Sequence, residues 1–276
     1  MVLQNFLKKG VKKSINNIKI ILIVLLILFN LVFFHLLPET ISKSISKLLL
    51  TQFMKLLNTD VKIHGNKSNL SHNNVIIMSN HYHGVIDCGI LYSIYHNNNQ
   101  INTLYTVVKS NIAGDETDKN ILSNLFYFIK DYFMQSLHFI PYDRGNKEDG
   151  ENVKNIINDY LNDNKNVLIF PEGTTTKNGI PKEFKTGIFR LAVENKLNIL
   201  PITIKYDKDI GLEKNGPLEN SKLFDNKANI YIHDMIDSKT SEYYKTNDYM
   251  GLKNKTYNDI CSPFKVKENE EEKTSE

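Results

Sequence analysis

Apolar residues along this chain fall into two patterns. Over residues 20–37 they form one run, IILIVLLILFNLVFFHLL, with no formal charge. Its 18 residues approach the roughly 20 that an α-helix needs to cross a hydrocarbon core. From about residue 61, short apolar runs alternate with polar segments. Strands are expected over 75–79, 103–109, 137–142, 166–170, 198–206 and 229–234, and helices over 84–95, 121–134, 153–161 and 188–196. That alternation predicts an α/β domain with a mostly parallel central sheet flanked by helices. Residues 263–276 carry almost no apolar side chains, so a disordered charged tail is expected there. The chain thus divides into an N-terminal region over 1–60, a globular domain over 61–262 and the tail.

The first region reads as membrane-anchoring. Lys8, Lys9, Lys12, Lys13 and Lys19 precede the apolar run, with no acid among them. A cleavable signal peptide is the competing reading. The run is long for a signal core, however, and Pro38-Glu39 follows it where small residues would be needed for cleavage. A retained anchor, single-pass or monotopic, is therefore expected. Residues 42–58, SKSISKLLLTQFMKLLN, have the pattern of an amphipathic helix with lysines on one side, suited to lying in the interface. The basic N-terminal flank favours a cytoplasmic N-terminus. Lys43, Lys47 and Lys55 on the other flank dilute that asymmetry, so both a full crossing and a one-sided arrangement stay open.

Composition adds limits. A net charge of +3 gives no reason to expect a nucleic-acid partner. Cys88 and Cys261 are the only cysteines, so neither a disulfide framework nor a cysteine-based zinc site is expected.

The chemistry-bearing residues cluster where strands are expected to end, and such ends share one crevice in a parallel sheet. The segments are Asn80-His81, Asp143-Arg144-Gly145, Pro171-Glu172-Gly173-Thr174 and, within the strand over 198–206, Pro201. A histidine at a strand end, with Asp87 just inside the next helix, has the makings of a general base oriented by a carboxylate. His83 is the alternative base, since it stands four residues before Asp87 and a helix would put the two on one face. His81-Tyr82-His83 also resembles part of the metal cluster of a metal-dependent hydrolase, but Asp87 comes two residues late for it and no histidine follows. No metal is expected. His72, His96, His138 and His233 lie in no such pattern. A lysine, Lys185, stands with Thr186 and Gly187 at an expected helix start, which suits an anion.

In order, these blocks are NH followed by Asp87, then FIPYDRGN, then FPEGTTT with FKTGIFRLA, then ILPITI. Together they resemble the glycerolipid acyltransferase superfamily, in which lysophosphatidic acid acyltransferases are the best-known members. The resemblance extends over roughly residues 61–206 and includes the N-terminal membrane-associated helices. It implies a membrane-associated enzyme that moves a fatty acyl group from acyl-CoA to the hydroxyl of a lysophospholipid, with lysophosphatidic acid the default acceptor. Acyl-CoA would be a substrate, and no cofactor is implied. Carried over block by block, His81 would be the base and Asp87 its partner. Arg144 would bind the acceptor phosphate, and Glu172, Gly173 and Thr174 would shape the acceptor pocket.

Two positions depart from the family pattern. Five residues separate His81 from Asp87 where the family has four, and Thr175 stands where its FPEGTR block has arginine. Lys177 or Lys185 is the expected source of replacement charge. These departures motivate an alternative function, that of a catalytically degenerate lipid-binding membrane protein.

Overall fold

The computed structural model describes residues 58–97, 104–109, 139–143, 147–176, 179–207 and 227–265, together with positions 14, 15, 18, 21, 22 and 25. In chain order the elements are β1 (Asp60–Gly65), a 3-10 turn (Lys67–Ser71), β2 (Val75–Ser79), α1 (Val85–Asn97), β3 (Leu104–Lys109) and β4 (Phe139–Tyr142). They continue with α2 (Lys147–Asn162), β5 (Asn166–Ile169), α3 (Gly187–Glu194), β6 (Asn198–Tyr206), β7 (Lys227–Ile232), α4 (Glu242–Lys245) and α5 (Tyr249–Lys265). Among the described residues the strands form one sheet in the order β1-β7-β6-β2-β5-β3-β4.

β6, β2, β5, β3 and β4 run parallel. β7 is antiparallel to β6, and β1 is parallel to β7, so the two strands at that edge are reversed. The mostly parallel α/β sheet expected from the alternation is therefore present. Its central strands are apolar because both faces are covered. Ile77, Leu168, Leu200 and Ile202 point to the side that α1 covers with Ile86, Ile90 and Ile94. Ile76, Met78, Val167, Ile169 and Ile199 point to the other, against Val153, Ile157 and Leu161 of α2, Phe189 of α3, and Leu252 and Ile260 of α5. Val75, Ile76, Ile77 and Met78 are each at most 2% exposed, and burying side chains of this size is worth about 1.5–3 kcal/mol apiece. The middle of the sheet is thus the rigid platform from which the strand ends project.

Entry into the three central strands uses the left-handed backbone region. Asn74 (φ 60°) precedes β2, Asn164 (φ 57°) precedes β5 and Lys196 (φ 52°) precedes β6. Asparagine tolerates that conformation and lysine does so less well.

Several expectations are corrected. β1 and α5 carried no expected element, and α2 begins six residues before the expected helix over 153–161. The helix α5 runs through Pro263 to Lys265, past the expected start of the tail. Pro201 sits inside β6 opposite Met78, five residues short of the strand end, because the buried apolar run continues to Ile204. The expected helix over 121–134 lies outside the described residues. So do the amphipathic segment over 42–57 and the tail from 266. Of the apolar run, only Ile21, Leu22 and Leu25 are described. These three, with Ser14, Ile15 and Ile18, are helical and exposed. Among the described residues, no helix is long and apolar enough to cross a membrane.

Candidate active site

β2 ends at Ser79, and the next residue extends its ladder with a side chain. Asn80 donates from Nδ2 to the Ile204 carbonyl and accepts from the Ile204 amide at Oδ1, both at 2.8 Å. An amide side chain presents the same donor and acceptor as a peptide, so β2 and β6 stay in register one residue further. His81 follows directly. Its backbone is held on both sides by the loop after β5, where its amide donates to Glu172 Oε1 and its carbonyl accepts from the Thr176 amide, each at 2.8 Å. Its ring stacks on Phe170, with centroids 4.0 Å apart.

His81 Nδ1 lies 3.0 Å from Asp87 Oδ2. A carboxylate acceptor selects the Nδ1–H tautomer and leaves Nε2 with a free lone pair. Asp87 is fully buried and sits in the first turn of α1, where the helix dipole favours a negative charge. Its Oδ2 also accepts from the amides of Tyr82 and His83, each at 2.7 Å, and its Oδ1 accepts from the Tyr206 hydroxyl at 2.6 Å. Burial, and then the Asp87 charge beside it, push the Tyr206 hydroxyl well above its usual range, so it remains a donor.

The extra residue between His81 and Asp87 is accommodated outside the helix. Residues 81–84 form a turn, with Gly84 at φ 55°, a conformation glycine takes without penalty. Helical rotation therefore does not govern the spacing. His83 meets Asp87 through its backbone amide, not its ring. That ring is buried against Tyr206, and among the described residues its Nε2 has no hydrogen-bond partner.

Glu172 acts on the backbone. It is 2% exposed, and its two oxygens are taken by the amides of His81 (Oε1) and Lys182 (Oε2, 2.8 Å). It clamps two backbone segments. Burial raises it to about 7, and the two amide bonds, which favour the charged form, offset only part of that rise. Gly173 turns the chain at φ 71°, and Thr174 is exposed beside it. Lys182 Nζ donates to the Thr175 carbonyl at 3.2 Å, which brings a cation to the position where the family block has arginine. Arg144 and Lys177 lie outside the described residues.

Phe170 joins this cluster to an apolar cleft of about 400 Å³. Its lining includes Val107, Val153, Ile157, Ile169 and Ile188, together with Gly173 and Lys185. The size is that of a small-molecule pocket. Among the described residues, no group of three or more histidine, cysteine or acidic side chains is arranged to hold a metal.

A family model described as Acyltransferase matches residues 60–205, just over half of the chain. The chain belongs to the acyltransferase family. That places it in the glycerolipid acyltransferase superfamily that its four blocks resemble. Over 88 residues it is 35% identical to the 1-acyl-sn-glycerol-3-phosphate acyltransferase of Borreliella burgdorferi. The match spans 32% of this chain and about a third (33%) of that relative. The fold is similar to that of the 1-acyl-sn-glycerophosphate (LPA) acyltransferase, PlsC, from Thermotoga maritima, with a TM-score of 0.57. That likeness covers 90% of this chain and 95% of the other at 16% identity, so it concerns the fold.

The structure brings together His81, Asp87 and Glu172, which the sequence had singled out. Sequence reading missed Tyr206, which reaches Asp87 from 119 positions away, and the ladder role of Asn80. The only signal for either was its position at the end of an expected strand.

Proposed function

We propose that this acyltransferase moves a fatty acyl group from an acyl thioester to the hydroxyl of a lysophospholipid at a membrane surface. Acyl-CoA is the donor and lysophosphatidic acid the acceptor. The observation that carries the reading is the His81–Asp87 pair, with Nε2 of His81 left free and Phe170 linking the pair to the apolar cleft. In the reaction, Nε2 takes the acceptor's hydroxyl proton as the alkoxide forms its bond to the thioester carbonyl carbon. Asp87 stabilises the resulting imidazolium. Collapse of the tetrahedral intermediate breaks the carbon–sulfur bond, and the proton passes from His81 to the departing thiolate. No covalent enzyme intermediate is needed, because binding energy at the phosphate and the acyl chain positions the two reactants.

The cleft takes the acyl chain. Arg144, with Lys182 at the Thr175 position, holds the acceptor phosphate; guanidinium binds such a group bidentately. Anchoring to the membrane falls to the N-terminal region, and the exposed apolar side chains of Ile15, Ile18, Leu22 and Leu25 support it, since they share one helical stripe.

The test is product formation by the full chain in membranes. It would be offered labelled acyl-CoA or acyl carrier protein thioester and a panel of lysophospholipids, with Asp87→Asn as control. Acylated lysophosphatidic acid from the wild type and at least a hundredfold less from Asp87→Asn is expected. A folded wild type that binds lysophospholipid yet forms no product with either donor refutes the reading and favours the lipid-binding alternative.

A further inference from the structure

We propose that Tyr206 is the positioning residue of the His81–Asp87 pair, holding the carboxylate in place and setting how much of its charge reaches the imidazole. The inference rests on the acyl-transfer reading for its kinetic consequence but not for its structural one.

The two oxygens of Asp87 are served unequally. Oδ2 receives the His81 ring and two backbone amides, whereas among the described residues Oδ1 receives only the Tyr206 hydroxyl, at 2.6 Å. The carboxylate has no exposure, so water has no route to replace that hydroxyl. A buried carboxylate oxygen without a donor is costly, and a bond this short to an ionised acceptor is a strong one. Tyr206 therefore fixes the rotation of the carboxyl and draws part of its charge away from His81.

The fold aims the hydroxyl there deliberately. Asn80 fixes Ile204 against the end of β2, and Tyr206, two residues on, faces the same side of the sheet as Ile204, the side of α1. Its ring is held by Tyr82 and His83, with centroids 5.8 and 6.0 Å away. The titratable groups packed around Asp87 and Tyr206 are thus His81, Tyr82 and His83 from the turn after β2, and Cys88 from α1. Burial raises the Cys88 thiol far above its usual range, so Cys88 stays neutral.

Tyr206→Phe removes the hydroxyl and keeps the ring packing. In the full chain in detergent micelles, kcat is expected to fall roughly tenfold or more, with KM for donor and acceptor unchanged. The acidic limb of the kcat/KM profile should move to higher pH, because the carboxylate charge that the Tyr206 hydroxyl draws off then falls on His81. A second readout needs no activity. Long-range proton–nitrogen spectra of histidine-labelled protein should show His81 as the Nδ1–H tautomer in the wild type and as a tautomer mixture in the variant. If the wild type transfers no acyl group, the functional reading fails while the spectra still decide the role of Tyr206. Should Tyr206→Phe not fold, 3-fluorotyrosine at position 206 decides, since a stronger donor of the same shape should move the acidic limb to lower pH. A folded Tyr206→Phe with an unchanged profile and an unchanged tautomer overturns the proposal, as does a limb that stays put with 3-fluorotyrosine.

Discussion

Asn80→Ala isolates the register device beneath the site. The wild-type side chain is 1% exposed and makes two hydrogen bonds of 2.8 Å to the backbone of Ile204. Alanine leaves the Ile204 amide and carbonyl unpaired in a buried strand. Each such group costs about 1–3 kcal/mol, so the variant should lose roughly 2–6 kcal/mol from a total that is about 5–15 kcal/mol for a typical domain. The adjacent His81 loses its anchor to β6, so acyl transfer should fall as well. Urea denaturation of the full chain in micelles measures the first effect, and initial rates of labelled acyl transfer measure the second. Asn80→Asp sharpens the test. An ionised carboxylate still accepts from the Ile204 amide but cannot donate to the Ile204 carbonyl. Burial raises the folded-state pKa of such a group above its unfolded value. The variant should therefore be more stable at about pH 5, where a protonated acid regains a donor, and lose that stability as pH rises. A loss below about 0.5 kcal/mol for Asn80→Ala, with rates unchanged, would refute the ladder role.

Glu172 predicts a pH dependence. Its folded-state value of about 7 lies above the ordinary 4.5, so the folded protein binds the proton more readily. The contribution of Glu172 to stability is greatest below about pH 4.5 and falls as pH rises to about 7, by at most roughly 3 kcal/mol. The stability difference between wild type and Glu172→Gln, followed by denaturation from pH 4.5 to pH 8, should shrink or reverse along that window; a constant difference would count against it. Lys196→Gly relieves a left-handed lysine and should stabilise the protein by about 0.5–1 kcal/mol; a lower melting temperature would contradict this. Lys182→Ala should raise KM for lysophosphatidic acid several-fold while leaving KM for a lysophospholipid with a zwitterionic head group unchanged, and equal effects on both would refute a phosphate contact.

The central sheet was legible because β2, β5 and β6 are apolar runs that must be covered on both faces. β1 was not, because its residues alternate between exposed and half-buried at the sheet edge and carry little apolar signal. α5 was hidden by its polar outer face and by Pro263. Its buried side includes Lys253 and Thr256, whose polarity masks a helical stripe. Lys253 reaches Glu183 at 2.7 Å and so ties α5 to the loop that carries Lys182. Within the site, the residue types and their order were readable, but the histidine–aspartate spacing was not. Residues 81–84 are a turn that Gly84 closes outside the helix, so that turn and not helical rotation sets the spacing. Contacts such as Tyr206 to Asp87 and Glu172 to His81 join distant strand ends, and only the sheet order β6-β2-β5 brings them together.

The most direct test of the account compares His81→Ala with His83→Ala in transfer of labelled acyl groups from acyl-CoA to lysophosphatidic acid. With Nε2 of His81 as the base, His81→Ala should lose at least about a thousandfold in kcat, whereas His83→Ala, which keeps the backbone amide on Asp87, should retain activity within about tenfold. Full activity in a folded His81→Ala, or loss confined to His83→Ala, would contradict the assignment of the base.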